Sequence, residues 1–122
     1  RDRGRAVLQS GYTESVTNAT PTVTQTVDWS TKNIYHLTLG GNVTLTFTNP
    51  PAAGSFQSLT LVVTQDATGS RTITWPASVR WSYNTAPVIT TTANRRDVFT
   101  FMTIDGGTTY SGAYSMANVA IS

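Results

Sequence analysis

The chain has no cysteine, a single lysine (Lys32) and a single histidine (His36), and charged residues fill only 11% of its 122 positions. Without cysteine there are no disulfides and no thiolate metal sites, and nothing marks the redox compartment. A lone histidine excludes any catalytic or metal site that needs two. The formal charge is +2, from eight cations against six anions, but Arg1, Arg3 and Arg5 supply three of the eight. Beyond residues 1–5, which also hold Asp2, the cations and anions balance. A neutral body has no electrostatic footprint for nucleic acid, so none is expected as a partner. No apolar run reaches the length of a membrane span and no signal-peptide core is present, so membrane insertion is not expected. No window of 11 residues carries the helical period. The first residue is Arg1 rather than Met, which reads as processing or as an excerpt of something longer.

What the chain does have is threonine, 24 of them. Threonine is β-branched, favours extended backbone and stays soluble on the wet face of a sheet. The apolar residues alternate with it. Val23, Gln25, Val27 and Trp29 alternate with Thr22, Thr24, Thr26 and Asp28; Tyr35, Leu37 and Leu39 with Ile34, His36 and Thr38; Val43, Leu45 and Phe47 with Thr44, Thr46 and Thr48. Residues 59–75 repeat the pattern on both sides of Asp66-Ala67-Thr68-Gly69-Ser70, which predicts a hairpin closed by an Asx turn. Gly40-Gly41-Asn42 predicts a second hairpin turn. Arg95 to Ile104 has Phe99 and Phe101 on one side and Val98, Met102 and Ile104 on the other, so both faces need cover. Eight to ten short strands at this spacing predict an all-β fold, an antiparallel sandwich of jelly-roll type. Residues 1–11 read as an N-terminal arm and 12–122 as one domain.

The search for reaction chemistry returns little. His36 lies mid-strand between Tyr35 and Leu37 rather than beside an acid at a loop. Asp66 and Asp105 open turns, Asp97 follows Arg95-Arg96 as an ion-pair partner, and Glu14 and Asp28 would meet only on adjacent strands, for which the sequence carries no sign. Gly40-Gly41 and Gly106-Gly107 lack the following helix and lysine of a phosphate loop. No catalytic residue, metal ligand or cofactor is assigned. The remaining chemistry is stacking by loop aromatics, and Tyr83, between Ser82 and Asn84, is the leading candidate.

Several stretches carry a family resemblance. Gly41-Asn42-Val43-Thr44-Leu45-Thr46-Phe47, Asn49-Pro50-Pro51-Ala52-Ala53-Gly54, and the run from Gln65 to Trp81 through Trp75-Pro76-Ala77-Ser78-Val79 resemble a β-rich domain of tailed-bacteriophage tail fibres, tail spikes and related virion surface proteins. Thr85-Ala86-Pro87, Thr90-Thr91-Thr92-Ala93-Asn94 and Asp105-Gly106-Gly107-Thr108-Thr109 continue it in order, while Ser82-Tyr83-Asn84 and Tyr110-Ser111 depart from it. The resemblance implies a non-enzymatic virion protein, commonly a homotrimer, at a tail fibre or on the capsid. Two roles follow as expectations. In the first, loops 49–55, 82–87 and 66–70 bind a host surface glycan or protein, with Tyr83, Asn84, Trp81 and Tyr110 as ligand contacts. In the second, a capsid decoration protein docks on other virion proteins through Arg1, Arg3, Arg5, Val7 and Leu8. Both expect a trimer interface built from Phe99, Phe101, Met102 and Ile104, because threonine-rich edges with few charges invite association.

Overall fold

The structure, a computed structural model, describes residues 10–122, so the expected contact arm at Arg1, Arg3, Arg5, Val7 and Leu8 lies outside the described residues. Those described form nine strands and one 3-10 turn, Ser82–Asn84, with no α-helix among them. The strands are β1 (Thr17–Ala19), β2 (Thr24–Asp28), β3 (Ile34–Leu39), β4 (Val43–Thr48), β5 (Gln57–Gln65), β6 (Ile73–Thr74), β7 (Val79–Trp81), β8 (Arg95–Thr103) and β9 (Tyr110–Ala120). The all-β reading holds, and nine strands fall within the expected number.

The pairing differs from the expected antiparallel one. A six-stranded sheet runs β1-β3-β5-β8-β9-β7, and a three-stranded sheet runs β2-β4-β6. Up to β7 the chain changes sheet at every connection, and each strand lies parallel to the strand two places earlier: β1 with β3, β3 with β5, β2 with β4, β4 with β6. Only β8 and β9 make an antiparallel hairpin, inserted between β5 and β7. Neither predicted hairpin turn is one. Residues 40–42 and 66–72 are arches that carry the chain across the core, and the strands flanking them sit in different sheets. The arches stack: Gly40 N–H donates to Pro21 O at 2.9 Å, and a Cβ on Gly41 would run into the Thr22 carbonyl. Here glycine serves close approach of two backbones rather than a tight hairpin.

The inner faces of the two sheets meet in one core. Val27, Val43 and Leu45 come from the small sheet, and Leu37, Leu39, Leu59, Leu61, Val63, Phe99 and Phe101 from the large one. Aromatic rings join the layers, Phe47 edge-on to Phe101 at 5.2 Å and Trp75 edge-on to Phe99 at 4.8 Å. At about 25 cal/mol per Å² this apolar burial is the main driving force of the fold.

Two buried polar side chains fix the connections. Gln65 Nε2 donates to Arg71 O (2.8 Å) and Thr90 O (2.9 Å), while its Oε1 accepts from Arg71 N–H (3.1 Å). Asp97, expected in an ion pair, instead takes two backbone amides, Thr90 N–H at 2.7 Å and Asn118 N–H at 2.8 Å. The second bond ties down β9 at the register shift that spans Asp97, between Arg96 and Val98, in the β8–β9 ladder, where the irregular pairing leaves an amide for the carboxylate.

Candidate functional site

The structure scatters the expected ligand set. Trp81 and Tyr110 belong to the core. Trp81 packs on Phe101 at a centroid distance of 5.6 Å across Gly112, where a Cβ would approach Trp81 Cζ3 to 2.9 Å. Tyr110 is 3% exposed and packs against Trp29 and Phe47, each at 4.9 Å, so it is closed to a ligand. Burial and its neighbour Asp105 push its hydroxyl pKa up. Tyr83 is the opposite, 99% exposed on the 3-10 turn after β7, and Asn84 beside it is exposed as well. Both sit in left-handed backbone at φ 56. For a bulky residue that geometry is an outlier costing roughly 1–3 kcal/mol.

The three loops proposed to bind together do not converge. Residues 49–56 leave β4 at the end of the large sheet where β5 begins, and Gly54 N–H bonds Ile104 O there at 3.0 Å. Residues 66–72 lie at the opposite end, where Ser70 N–H bonds Thr91 O at 2.7 Å. Residues 82–87 follow the edge strand β7.

A polar cleft of about 680 Å³ opens at the end where β3 and β5 begin, lined by residues 13–15, the 29–33 turn, Asn49, Pro50, Pro51 and Gln57. Asp28 shapes the turn: its carboxylate accepts from Ser30 N–H (2.9 Å) and Ser30 Oγ–H (2.7 Å), and these bonds hold its pKa below the usual value. Tyr35 reaches up from β3 to accept from Asp28 N–H at 3.0 Å. Gln57 Nε2 donates to Trp29 O and to Asn33 Oδ1, both at 2.8 Å. Lys32 Nζ donates to Ser15 Oγ at 2.6 Å. Of the expected residues only the 49–51 part of one loop lines this cleft. Sequence reasoning missed Asn33 and Gln57, which lie 24 positions apart and meet only because β3 and β5 are parallel neighbours.

The outer face of the large sheet carries the other feature. His36 Nδ1 lies 2.8 Å from Asn18 Oδ1, an acceptor, so Nδ1 holds the proton. Nε2 then accepts from Thr64 Oγ1 at 2.8 Å, and Thr64 Oγ1 accepts from Arg96 Nε–H at 3.2 Å. Burial, helped by Arg96, pushes the imidazole pKa down, which agrees with a neutral ring. Beside this relay, Val62, Val98 and Met116 form a row across three strands, and Met102 and Ile104 continue the face, Ile104 being 57% exposed. Phe99 and Phe101, expected at an intersubunit contact, are fully buried inside the chain on the other face of β8, so they correct that expectation. No group of three metal-ligating side chains occurs among the described residues.

Residues 19–109 match the family described as "Putative phage tail fibre C-terminal domain". No curated protein and no solved structure shows significant similarity to the chain. Since the match covers well over half of the sequence, including eight of the nine strands in whole or part, the chain belongs to this phage tail fibre family and is a component of the virion.

Proposed function

We propose that this tail fibre domain is a non-catalytic contact module that meets the host surface through the Tyr83–Asn84 turn and works as a homotrimer. The observation that carries the reading is Tyr83 itself: a fully exposed aromatic held in strained left-handed backbone. Backbone strain of this kind persists where surrounding structure imposes it, and it clusters at contact sites. An exposed ring offers large contact area at small entropic cost. The outer face with Val62, Val98, Met102, Ile104 and Met116 supports association, since apolar patches of this sort on an antiparallel pair are normally covered. Capsid decoration rests on the arm, and no feature of residues 10–122 favours it over a tail fibre role.

The test is adsorption. Tyr83→Ala is expected to lower binding of the protein to host cells at least tenfold while sedimentation stays unchanged; unaltered binding refutes the contact role. Ile104→Asp is expected to shift the sedimenting species from trimer to monomer, and a wild-type monomer at micromolar concentration refutes the trimer.

A further inference from the structure

We propose that the polar cleft between the 29–33 turn and residues 49–51 is a binding site for a neutral saccharide. The inference rests on the reading of this domain as a host-contacting module, but it concerns a different part of the molecule. The cleft lies by β1 and β3, whereas Tyr83 follows β7 at the far edge of the same sheet.

The ligand class follows from the lining. Its about 680 Å³ is within the roughly 300–1,000 Å³ of small-molecule sites. Among the described residues, Glu14 and Lys32 are its only charged lining side chains, one of each sign. Thr13, Ser15, Ser30, Thr31, Asn33, Asn49 and Gln57 supply neutral donors and acceptors, and they outnumber the apolar walls. The two amides are pre-set. Gln57 spends both Nε2 hydrogens on Trp29 O and Asn33 Oδ1, which leaves its Oε1 as an acceptor and Asn33 Nδ2 as a donor.

Sugar hydroxyls satisfy a donor and an acceptor alike, because each hydroxyl both gives and takes a hydrogen bond. A carboxylate or phosphate, which only accepts, meets Gln57 Oε1 and Glu14 unfavourably. An ammonium, which only donates, meets Asn33 Nδ2 and Lys32. An apolar ligand strips water from the amides without replacing it, which disfavours it. The site is also stiff. Trp29 is clamped by Phe47 at 5.6 Å and Tyr110 at 4.9 Å, Asp28 caps the turn, and Pro50 and Pro51 form the opposite wall. A preformed wall reduces the ordering cost of binding.

The full chain is titrated by ligand-observed NMR with neutral sugars (glucose, galactose, N-acetylglucosamine and their disaccharides) and, in parallel, with glucuronate and glucosamine. Saturable binding of at least one neutral sugar is expected, with the charged analogues weaker. Asn33→Ala is expected to weaken it roughly tenfold, the loss of about one hydrogen bond. Thr13→Val, which removes a lining hydroxyl that bonds no other described side chain, provides a second variant should Asn33→Ala unfold. Tyr83→Ala is expected to leave sugar binding unchanged. No neutral sugar bound at up to about 10 mM, binding indifferent to both cleft variants, or preference for a charged analogue overturns the inference. If sugars fail while Tyr83→Ala still abolishes adsorption, the cleft is refuted and the contact role stands; if sugars bind while Tyr83→Ala adsorbs normally, the reverse holds.

Discussion

The stack of arches has two unlike ends. At the later end, residues 85–94 fold back over the short strand β6: Ile89 is 7% exposed in the core, Ser70 N–H bonds Thr91 O, and Asn94 N–H bonds Asp66 O. Buried Gln65 and Asp97 both grip Thr90. At the earlier end, β1 and β2 are edge strands, and the neighbouring Tyr12, Val16 and Val23 are exposed, Val23 at 67%. A chain that grows by laying one arch on another must finish its last arch with something that is not an arch. Here the finish is irregular backbone tied down by side chains, while the first arch, among the described residues, keeps its ladder groups on display.

The contrast is breakable. Ile89→Ala is expected to cost about 2–4 kcal/mol in urea unfolding, through lost burial and the cavity left behind. Val23→Ala at the other end is expected to cost under about 0.5 kcal/mol. Similar values for the two would mean that the ends are alike. Gln65→Leu keeps the volume but strands Arg71 N–H, Arg71 O and Thr90 O, at an expected cost of about 2–3 kcal/mol. Amide exchange at Ser70 and Asn94 should accelerate before that of β3, and uniform acceleration would show that Gln65 is not a local clamp.

The smallest effect is set by pH. The folded state lowers the His36 pKa below 6.5 through burial and Arg96, so it favours the neutral ring. That contribution is fully present above pH 6.5 and is lost as pH falls through the folded value. Protonation puts a hydrogen on Nε2, which then faces Thr64 Oγ1, already an acceptor for Arg96, so the Thr64–His36 link from β5 to β3 is the casualty while Nδ1–H keeps its bond to Asn18 Oδ1. Asp66 at the later end is lowered from 3.8, chiefly by Arg71 and by the Gly69 amide, so its contribution persists until pH falls below that value. Between pH 6.5 and 4.5 exchange protection should therefore drop in β3 around His36 and hold near Asp66. Equal loss at both ends would remove the distinction.

The faces of the strands were legible from the residues, and their partners were not. Tyr35, Leu37 and Leu39 point inward as their alternation requires, and Asp105 caps its turn by accepting from Thr109 N–H and Oγ1–H. Period two demands one buried face whether the chain next turns back beside itself or crosses to another sheet, so Gly40-Gly41-Asn42 reads alike for both. The same blindness hid the cleft, because Asn33 and Gln57 become neighbours only through a parallel pairing that no local pattern encodes. Tyr110 misled in a different way: a tyrosine after a turn resembles a loop aromatic, but its place opposite Val79 in the sheet turns it into the core.

The arch repeat has a bearing on length. Thr17 lies beside Tyr35 and Tyr35 beside Leu61, so each lap of the chain advances the large sheet by one strand in about two dozen residues. A lap touches chiefly the laps before and after it, so one more could be laid against Thr17 without rethreading any that follow. Size in such a protein is a matter of counting, open to change at one end and fixed at the other.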